Sequence, residues 1–318
     1  IVDHYDMPLS EVAAEAAWPL GGHPAGGPDR DDPFAGPYQE LWQATLEQAA
    51  GQGAGVVLSG VRGDLLVGGA VFDELGLLLR GRFAEVVEDL RLHRRDQGAS
   101  WPRIVTSRLV RPAAAGLWPP GRPGRAADRS ALGHPPPEWV LPAFARRAGL
   151  ADLPRPERPP AALRGRARRQ RHEQVAAFMH VRGVEWLARM AARAGVVHAD
   201  PWSDRRLAEF VLAVPQWALQ RRSHLKGIAY QAMRGIVPEP VRPRLAKVTP
   251  QPFFNLSLRT WAQDRVWRLL SGMDAAAHGY VDQAALRRHY TEILGGRPPR
   301  DEFWWALTLE MWLRHYVS

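Results

Sequence analysis

One short apolar run constrains the fold of this chain more than any other feature. Residues 56–58 (Val-Val-Leu) lie between glycines and show no polar alternation, which is typical of a strand buried in a parallel sheet. A helical pattern over 38–50 precedes the run, a polar glycine loop over 59–64 follows it, and helical patterns resume near Ala70. In such α/β folds, ligands bind beyond the carboxyl ends of the strands. We therefore expect an α/β fold with a short, buried, parallel-type strand near 55–59 and a ligand site in the loop after it.

The rest of the sequence is mostly helical in its periodicity. An apolar stripe through Phe83, Val86, Val87 and Leu90 predicts a helix over 83–93. Further helices are predicted at 139–147, 162–194, 203–213, 223–235, 257–271, 282–294 and 301–316. A segment rich in Pro, Gly and Arg over 112–137 predicts a loop. Residues 1–37 have no sustained period, so we expect an irregular lead-in followed by one domain over 38–318.

Composition excludes several classes of function. Cysteine is absent, which rules out disulfides, thiolate nucleophiles and cysteine metal sites. The net charge of +9 comes with abundant Ala, Gly and Pro, and no basic-aromatic nucleic-acid motif accompanies it. We interpret the charge as coding bias in a GC-rich genome and expect no nucleic-acid partner. No apolar run is long enough to span a bilayer, and no signal peptide is present, so a cytoplasmic protein without a membrane partner is expected.

The basic residues are almost all arginines. Only Lys226 and Lys247 are lysines among 42 basic residues. A lysine retained against this bias suggests a need for a compact, rotatable ammonium, although chance survival is the alternative. The densest basic run comprises Arg164, Arg166, Arg168, Arg169 and Arg171. It predicts a solvated helix face, and contact with a polyphosphate or a leader peptide is the alternative.

Three segments carry the strongest indication of function. The first reads Leu58-Ser59-Gly60-Val61-Arg62-Gly63-Asp64-Leu65-Leu66-Val67-Gly68-Gly69. The second reads His198-Ala199-Asp200-Pro201-Trp202-Ser203-Asp204 and continues into a helical pattern that ends at Pro215. The third runs from Lys226 through Ile236-Val237-Pro238 to Arg244-Leu245-Ala246-Lys247. In this order the segments resemble the synthetase domain of the asparagine synthetase family, a group that includes the macrolactam cyclases of lasso peptide biosynthesis.

The resemblance implies a fold and a set of site residues. It implies a truncated synthetase domain of the adenine-nucleotide α-hydrolase type, in which Ser59, Gly60 and Gly63 line the nucleotide. Asp64 would hold Mg²⁺, in keeping with the preference of this ion for carboxylate oxygen, and glycine amides can approach phosphates closely. By the same resemblance, Lys226 and Lys247 are the catalytic lysines. A plain glycine turn with Asp64 capping the next helix is the alternative for the loop.

The second segment has an architectural interpretation. We expect Asp204 to cap or brace the helix that follows it. Leu207, Phe210 and Val211 are expected to face the core, because they share one side of that helix.

The implied activity is that of an ATP-dependent amide-bond-forming ligase. A carboxylate is adenylated with release of pyrophosphate, and an amine then displaces AMP, with Lys247 stabilising the developing charge. ATP and Mg²⁺ are the implied cofactors. The partners are a carboxylate and an amine from small molecules or a peptide, with either lasso peptide cyclisation or asparagine synthesis as the reaction. A precursor peptide and its processing partners belong to the first case.

Departures from the family pattern leave a second, non-catalytic function open. No Ser-Gly-Gly-x-Asp-Ser pyrophosphate loop and no N-terminal glutaminase cysteine occur, so we expect a fragment or a degenerate protein. Val61 and Leu65 stand where asparagine synthetases carry acidic residues, which disfavours asparagine synthesis. The alternative function is a catalytically inactive remnant that acts as a helical scaffold or peptide-binding partner.

Overall fold

The computed structural model is mainly helical. It describes residues 1–21, 31–33, 35–68, 74–117, 136–150, 171–172, 178–219, 226–242 and 249–317. The helices in these parts are α1 Val2–Tyr5, α2 Gln39–Gly51, α3 Glu74–Leu78, α4 Phe83–Gln97, α5 Trp101–Val105, α6 Arg111–Leu117, α7 Pro142–Arg147, α8 Phe178–Arg193, α9 Arg205–Ala213, α10 Gln216–Leu219, α11 Gly227–Ala232, α12 Gln251–Arg259, α13 Gln263–Leu269, α14 Asp274–Ala277, α15 Gln283–Leu294 and α16 Asp301–Tyr316. None of the helices so described is long and apolar enough to cross a bilayer.

A small parallel sheet confirms the predicted α/β character. Strand β1 (Val56–Leu58) pairs with β2 (Val197–Ala199) in the register Val57 to His198 and Leu58 to Ala199. The predicted burial of β1 was wrong, because Val56 is 55% exposed and Leu58 70% exposed. Only the inward-facing Val57 packs, against the cluster formed by α2 and α8. Within the described residues, no other strand or helix covers the outer face of the sheet.

The largest core lies in the C-terminal part of the chain. Helices α12, α13, α15 and α16 enclose fully buried side chains that include Leu258, Tyr290 and Phe303. The Tyr290 hydroxyl donates to the Leu258 carbonyl at 2.8 Å, so the buried phenol is satisfied. Trp139 and Leu20 reach this core from distant parts of the sequence. The predicted helices 282–294 and 301–316 are confirmed, whereas the one predicted at 257–271 is divided between α12 and α13.

A second core stabilises the segments that follow the two strands. Leu66, Val67, Val211 and Leu219 are buried together, and Trp202, Leu207, Ile228 and Ala229 pack around them. This cluster joins the turn after β1, helix α9 and helix α11. The predicted inward positions of Leu207 and Val211 are confirmed, but Phe210 is 60% exposed because it lies on the outer side of α9.

Helices α3, α4 and α5 form a third layer around Leu77, Val86, Leu90 and Ile104. Only half of the predicted stripe on α4 is buried, since Phe83 is 63% exposed and Val87 43% exposed. Phe83 and Val87 both lie to one side of the buried pair on α4, so the core covers Val86 and Leu90 alone. The predicted loop 112–137 begins as helix, because α6 extends to Leu117.

One residue of the basic run has a structural role. Arg171 is only 2% exposed, and its guanidinium donates to the carbonyls of Val214, at 2.9 Å, and Val211. It therefore satisfies carbonyls at the C-terminal end of α9. The interpretation as a solvated face is wrong for this residue. The rest of the run, over 164–170, lies outside the described residues.

Candidate active site at the carboxyl ends of two parallel strands

The two strands deliver polar residues to the same edge of the sheet. Because β1 and β2 are parallel, Ser59 and Asp200 both follow a strand at its carboxyl end. The Ser59 amide donates to the Ala199 carbonyl at 3.0 Å, which continues the ladder by one residue beyond β1. The loop predicted as a ligand site therefore begins where α/β folds place their ligands.

A serine and a histidine from different strands form a hydrogen bond at this edge. Nε2 of His198 lies 2.8 Å from Oγ of Ser59. Which of the two donates depends on the imidazole tautomer. Ser59 was predicted to line a nucleotide, but His198 was not among the predicted site residues. Only recognition of β2 as a second strand would have placed His198 beside Ser59.

The loop from Gly60 to Gly63 is a tight turn held against a tryptophan. The Gly63 amide donates to the Gly60 carbonyl at 3.1 Å. A Cβ atom at Gly63 would lie 3.0 Å from Cε2 of Trp202, so any larger residue would require the indole ring to move. Gly63 therefore shapes the loop, and its amide is already used. Within the described residues, the amides of Gly60 and Val61 donate to no other group and remain available to an anion.

Two other predicted site residues form an ion pair. Nζ of Lys226 contacts Oδ1 of Asp64, although 162 positions separate them in the sequence. Asp64 opens a wide π-helical turn, Asp64–Gly68, whose Leu66 and Val67 are buried in the second core. Lys226 precedes α11, whose Ile228 and Ala229 pack in that same core. Burial of apolar side chains from both segments thus brings the carboxylate and the ammonium together.

The Asp64–Lys226 pair is accessible to solvent. The two side chains are 43% and 51% exposed. An exposed pair of this kind contributes about 0–1 kcal/mol to stability. Both charged groups are therefore accessible to a ligand from solvent. Surface exposure thus makes the pair suitable for binding a charged ligand.

The neighbouring segment from Asp200 to Asp204 is fixed by capping. The Asp200 carboxylate accepts from the Trp202 amide at 3.1 Å and from the Ser203 hydroxyl at 2.7 Å. Asp204 accepts from the amides of Arg206 and Leu207 at the start of α9, which confirms its predicted cap. Hydrogen bonding to Arg206 lowers the pKa of Asp204 to about 2. These caps position Trp202, and through it the glycine loop.

The donor set fits Mg²⁺ only when the ion arrives on a nucleotide. Among the described residues, no group of three His, Asp or Glu side chains could hold a metal ion. Mg²⁺ in nucleotide sites commonly takes one or two carboxylates and completes its shell with phosphate oxygens and water. Asp64 can supply one such carboxylate.

Lys247 lies outside the described residues, which end at Arg242 and resume at residue 249. The predicted approach of Lys247 to Asp64 therefore stays a prediction. The part of this segment that the structure describes is well fixed. Arg242 pairs with Glu239 through two nitrogens at 2.8 Å, and its guanidinium lies 4.8 Å from the centre of the Tyr230 ring.

Comparison with known proteins identifies the family. The family model described as asparagine synthase matches residues 2–314. No curated protein and no solved structure matches the chain. The matched range includes both strands, the glycine loop, the Asp64–Lys226 pair and the C-terminal core. The chain belongs to the asparagine synthase family.

Proposed function

We propose that this chain forms part of the active site of an ATP-dependent amide-bond-forming ligase. Membership in the asparagine synthase family points to ligase activity of this class. The observation that carries the proposal is the ion pair between Asp64 and Lys226 beside the carboxyl ends of β1 and β2. At that edge, the carboxylate is suited to the magnesium ion of a Mg·nucleotide, and the ammonium is suited to its phosphates.

Each group at the edge has a role in this proposal. The Ser59 hydroxyl, oriented by His198, and the amide of Gly60 contact the nucleotide. Asp64 would hold Mg²⁺, and the ion would supply neutralisation of phosphate charge. Lys226 turns from Asp64 to a phosphate oxygen, and Lys247 stabilises charge as the amine attacks. The protein contributes positioning and fixed charge rather than a covalent intermediate with one of its own side chains.

The proposed reaction has two steps. A carboxylate oxygen of the acyl substrate attacks the α-phosphorus of ATP, forming an acyl-adenylate and releasing pyrophosphate. The amine then attacks the acyl carbon, the C–O bond to AMP breaks, and the amine loses a proton. With an Asp or Glu side chain and a peptide N-terminus as substrates, the product is a macrolactam. Val61 and Leu65 replace carboxylates of asparagine synthetases, which favours this peptide reaction over synthesis from aspartate and ammonia.

A non-catalytic scaffold is the second candidate. Its specific support is the sequence itself, since no Ser-Gly-Gly-x-Asp-Ser motif occurs in the 318 residues. Without that loop, the groups described here provide no cradle for pyrophosphate. A helical domain that binds a peptide without turnover would need only the surface of the site.

A charge-exchange experiment tests the proposal. Titration calorimetry with Mg·ATP should detect binding to the unaltered chain, and Asp64→Asn or Lys226→Met should weaken it by about tenfold, the scale of one charge-assisted hydrogen bond. The double variant Asp64→Lys with Lys226→Asp keeps an ion pair but exchanges its ends. We expect it to fold normally and to bind as weakly as the single variants, because the carboxylate no longer follows β1.

The matched control is Glu292→Gln. Glu292, on α15, is a carboxylate of similar exposure, 47%, and it pairs with Arg297 in the loop that follows the helix. This variant should bind Mg·ATP normally. Full binding by the exchanged double variant would show that the pair is only structural. Absence of Mg·ATP binding by the unaltered chain would favour the scaffold.

A further inference from the structure

A cavity of about 300 Å³ lies at the turn between α4 and α5. Its lining is formed by Arg91, Arg94, Arg95, Gly98, Ala99 and Trp101. Gly98 adopts the left-handed conformation, φ 60°, and ends α4, so the chain reverses direction around the cavity. The volume is at the lower end of the range for small-ligand sites, roughly 300–1,000 Å³. It is large enough for one or two side chains of a bound partner.

Within the part of the chain that the structure describes, the three arginines that line this cavity make no ion pair. Arg91, Arg94 and Arg95 are exposed, and no carboxylate pairs with any of them within the described residues. Arginines in the last turn of a helix often donate to its terminal carbonyls. None of the three makes such a hydrogen bond in the described part of the chain. Their positive charge is therefore available to an anionic ligand.

Trp101 preorganises one side of the cavity. The guanidinium of Arg94 lies 5.3 Å from the centre of the indole ring. This cation–π contact restricts a side chain that is otherwise long and mobile. Trp101 itself is 39% exposed, so part of its ring can contact a ligand beside the arginine.

An exposed apolar strip continues from the arginines along α4. On a helical projection, Phe83 and Val87 lie on the same side as Arg91 and Arg94. Phe83 is 63% exposed and Val87 43% exposed. Phe83 and Arg94 are 11 residues apart, which spans about 16 Å along a helix. A free phosphate would bind the arginines without contacting the apolar strip. An extended peptide would contact both the arginines and the strip.

We propose that the α4–α5 surface, defined by Phe83, Val87, Arg91, Arg94, Arg95 and Trp101, binds an acidic peptide segment that also carries apolar side chains. Asp or Glu side chains enter the arginine cavity, where guanidinium groups can pair with carboxylates bidentately. Apolar side chains of the same segment cover Phe83 and Val87. The site is separate from the Ser59–Asp64 loop, and the proposal does not depend on nucleotide binding there.

Fluorescence polarisation with a labelled peptide tests this site in the full chain. The probe is a ten-residue peptide that alternates Glu or Asp with Leu and Phe. Its control is the same peptide with Gln and Asn in place of the acids. We expect binding of the acidic peptide and at least about tenfold weaker binding of the neutral one, the scale of a charge-assisted hydrogen bond.

Two double variants and one single variant test where the peptide binds. Arg94→Gln with Arg95→Gln should weaken binding by about tenfold or more. The matched control, Arg205→Gln with Arg288→Gln, removes the same charge from exposed positions on α9 and α15 and should leave binding unchanged. Phe83→Ser should weaken binding of the acidic and apolar peptide but not that of a peptide containing only Glu and Gly.

Three results would overturn the proposal. The first is an equal loss of peptide binding in the control variant Arg205→Gln with Arg288→Gln, which would mean that net charge alone attracts the peptide. The second is competition by inorganic triphosphate as strong as that by the unlabelled peptide, with no effect of Phe83→Ser. The third is association with anionic phospholipid vesicles in the absence of peptide binding.

Discussion

At the scale of single residues, two carboxylates have opposite surroundings. Asp64 is half-exposed beside an ammonium, whereas Glu40 is 4% exposed in the interior. One oxygen of Glu40 accepts from the Leu20 amide at 3.1 Å, and the other has no hydrogen-bond partner in the described residues. Burial raises the pKa of Glu40 to about 7, despite the opposing effects of hydrogen bonds and of Arg265. Perturbed pKa values often mark functional sites, but this one lies in the core.

Glu40 should make stability depend on pH. Its pKa is 4.5 when unperturbed and about 7 in the folded state, so the folded state binds the extra proton between these values. The free energy of unfolding should therefore fall as pH rises from 4.5 to 7, by about 3 kcal/mol at most. Glu40→Gln keeps an oxygen for the Leu20 amide and removes the charge. We expect its Tm to exceed that of the unaltered chain at pH 8 but to match it near pH 4.5.

Thermal unfolding followed by circular dichroism measures this effect. Glu209→Gln is a suitable control, because Glu209 is exposed on α9. If the Tm of Glu40→Gln depends on pH in the same way as the Tm of the unaltered chain, Glu40 is not the group that titrates.

At the scale of elements, buried polar side chains fix how the C-terminal helices meet. The Glu310 carboxylate, on α16, is fully buried and accepts from the amides of Asp274 and Ala275 at 3.1 and 3.0 Å. It also accepts from Nε of Arg314 at 2.6 Å. The carboxylate thus satisfies the orphan donors of α14 and links α14 to α16.

Glu310→Ala should destabilise this junction strongly. It leaves two amides and Nε of Arg314 without their acceptor, and breaking a buried ionic contact costs about 3–5 kcal/mol. Glu310→Gln keeps one acceptor oxygen and should cost less. Urea unfolding at pH 7 measures both. A single hydrogen bond contributes about 1 kcal/mol net. If both variants unfold with a free energy within about 1 kcal/mol of the unaltered chain, Arg314 and the α14 amides must find other partners.

At the scale of the whole molecule, burial is unevenly distributed. The C-terminal core holds many fully buried large side chains, whereas the two-stranded sheet is exposed on its outer face. Regions with little buried apolar surface open at lower free energy than the core. The candidate site is therefore in the less stable part of the chain, which is where ligand-binding loops commonly lie.

Hydrogen exchange should report this difference. We expect the amides of α15 and α16 to exchange at least about 100-fold more slowly than those of β1, β2 and the glycine loop. Mass spectrometry of peptic fragments measures the rates. Added Mg·ATP should slow exchange in the loop and leave α16 unchanged. Equal protection of the sheet and the C-terminal helices would contradict the expected difference in stability.

Helix positions were largely predictable, and the association of helices was less so. The predictions for α9, α15 and α16 succeeded because their apolar residues recur at helical spacing over at least nine residues. The strand β2 was missed because His198 interrupts it, so it lacks the continuous apolar run that marked β1. Burial of β1 and of Phe210 was mispredicted, because an apolar sequence does not reveal which of its faces another element covers.

The motifs in the sequence were enough to select candidate residues, but not to place those residues relative to one another. Asp64 and Lys226 were selected by resemblance to a family, and the structure places them in contact. The contact itself depends on burial of Leu66 beside α11, which no local pattern indicates. His198 shows the same limit, because its proximity to Ser59 arises from strand pairing across 139 residues.

The uncovered face of the sheet has a chemical consequence. An acyl-adenylate is a mixed anhydride, and water cleaves it when water can reach the acyl carbon. Val56, Leu58 and Val197 face solvent. The outer face of β1 and β2 therefore would not shield an intermediate bound near Ser59 from water. Turnover there would partition between amide product and wasted hydrolysis. In the proposed reaction, the yield of amide per ATP consumed would therefore depend on how that face is shielded from water, as well as on the residues proposed to bind the nucleotide.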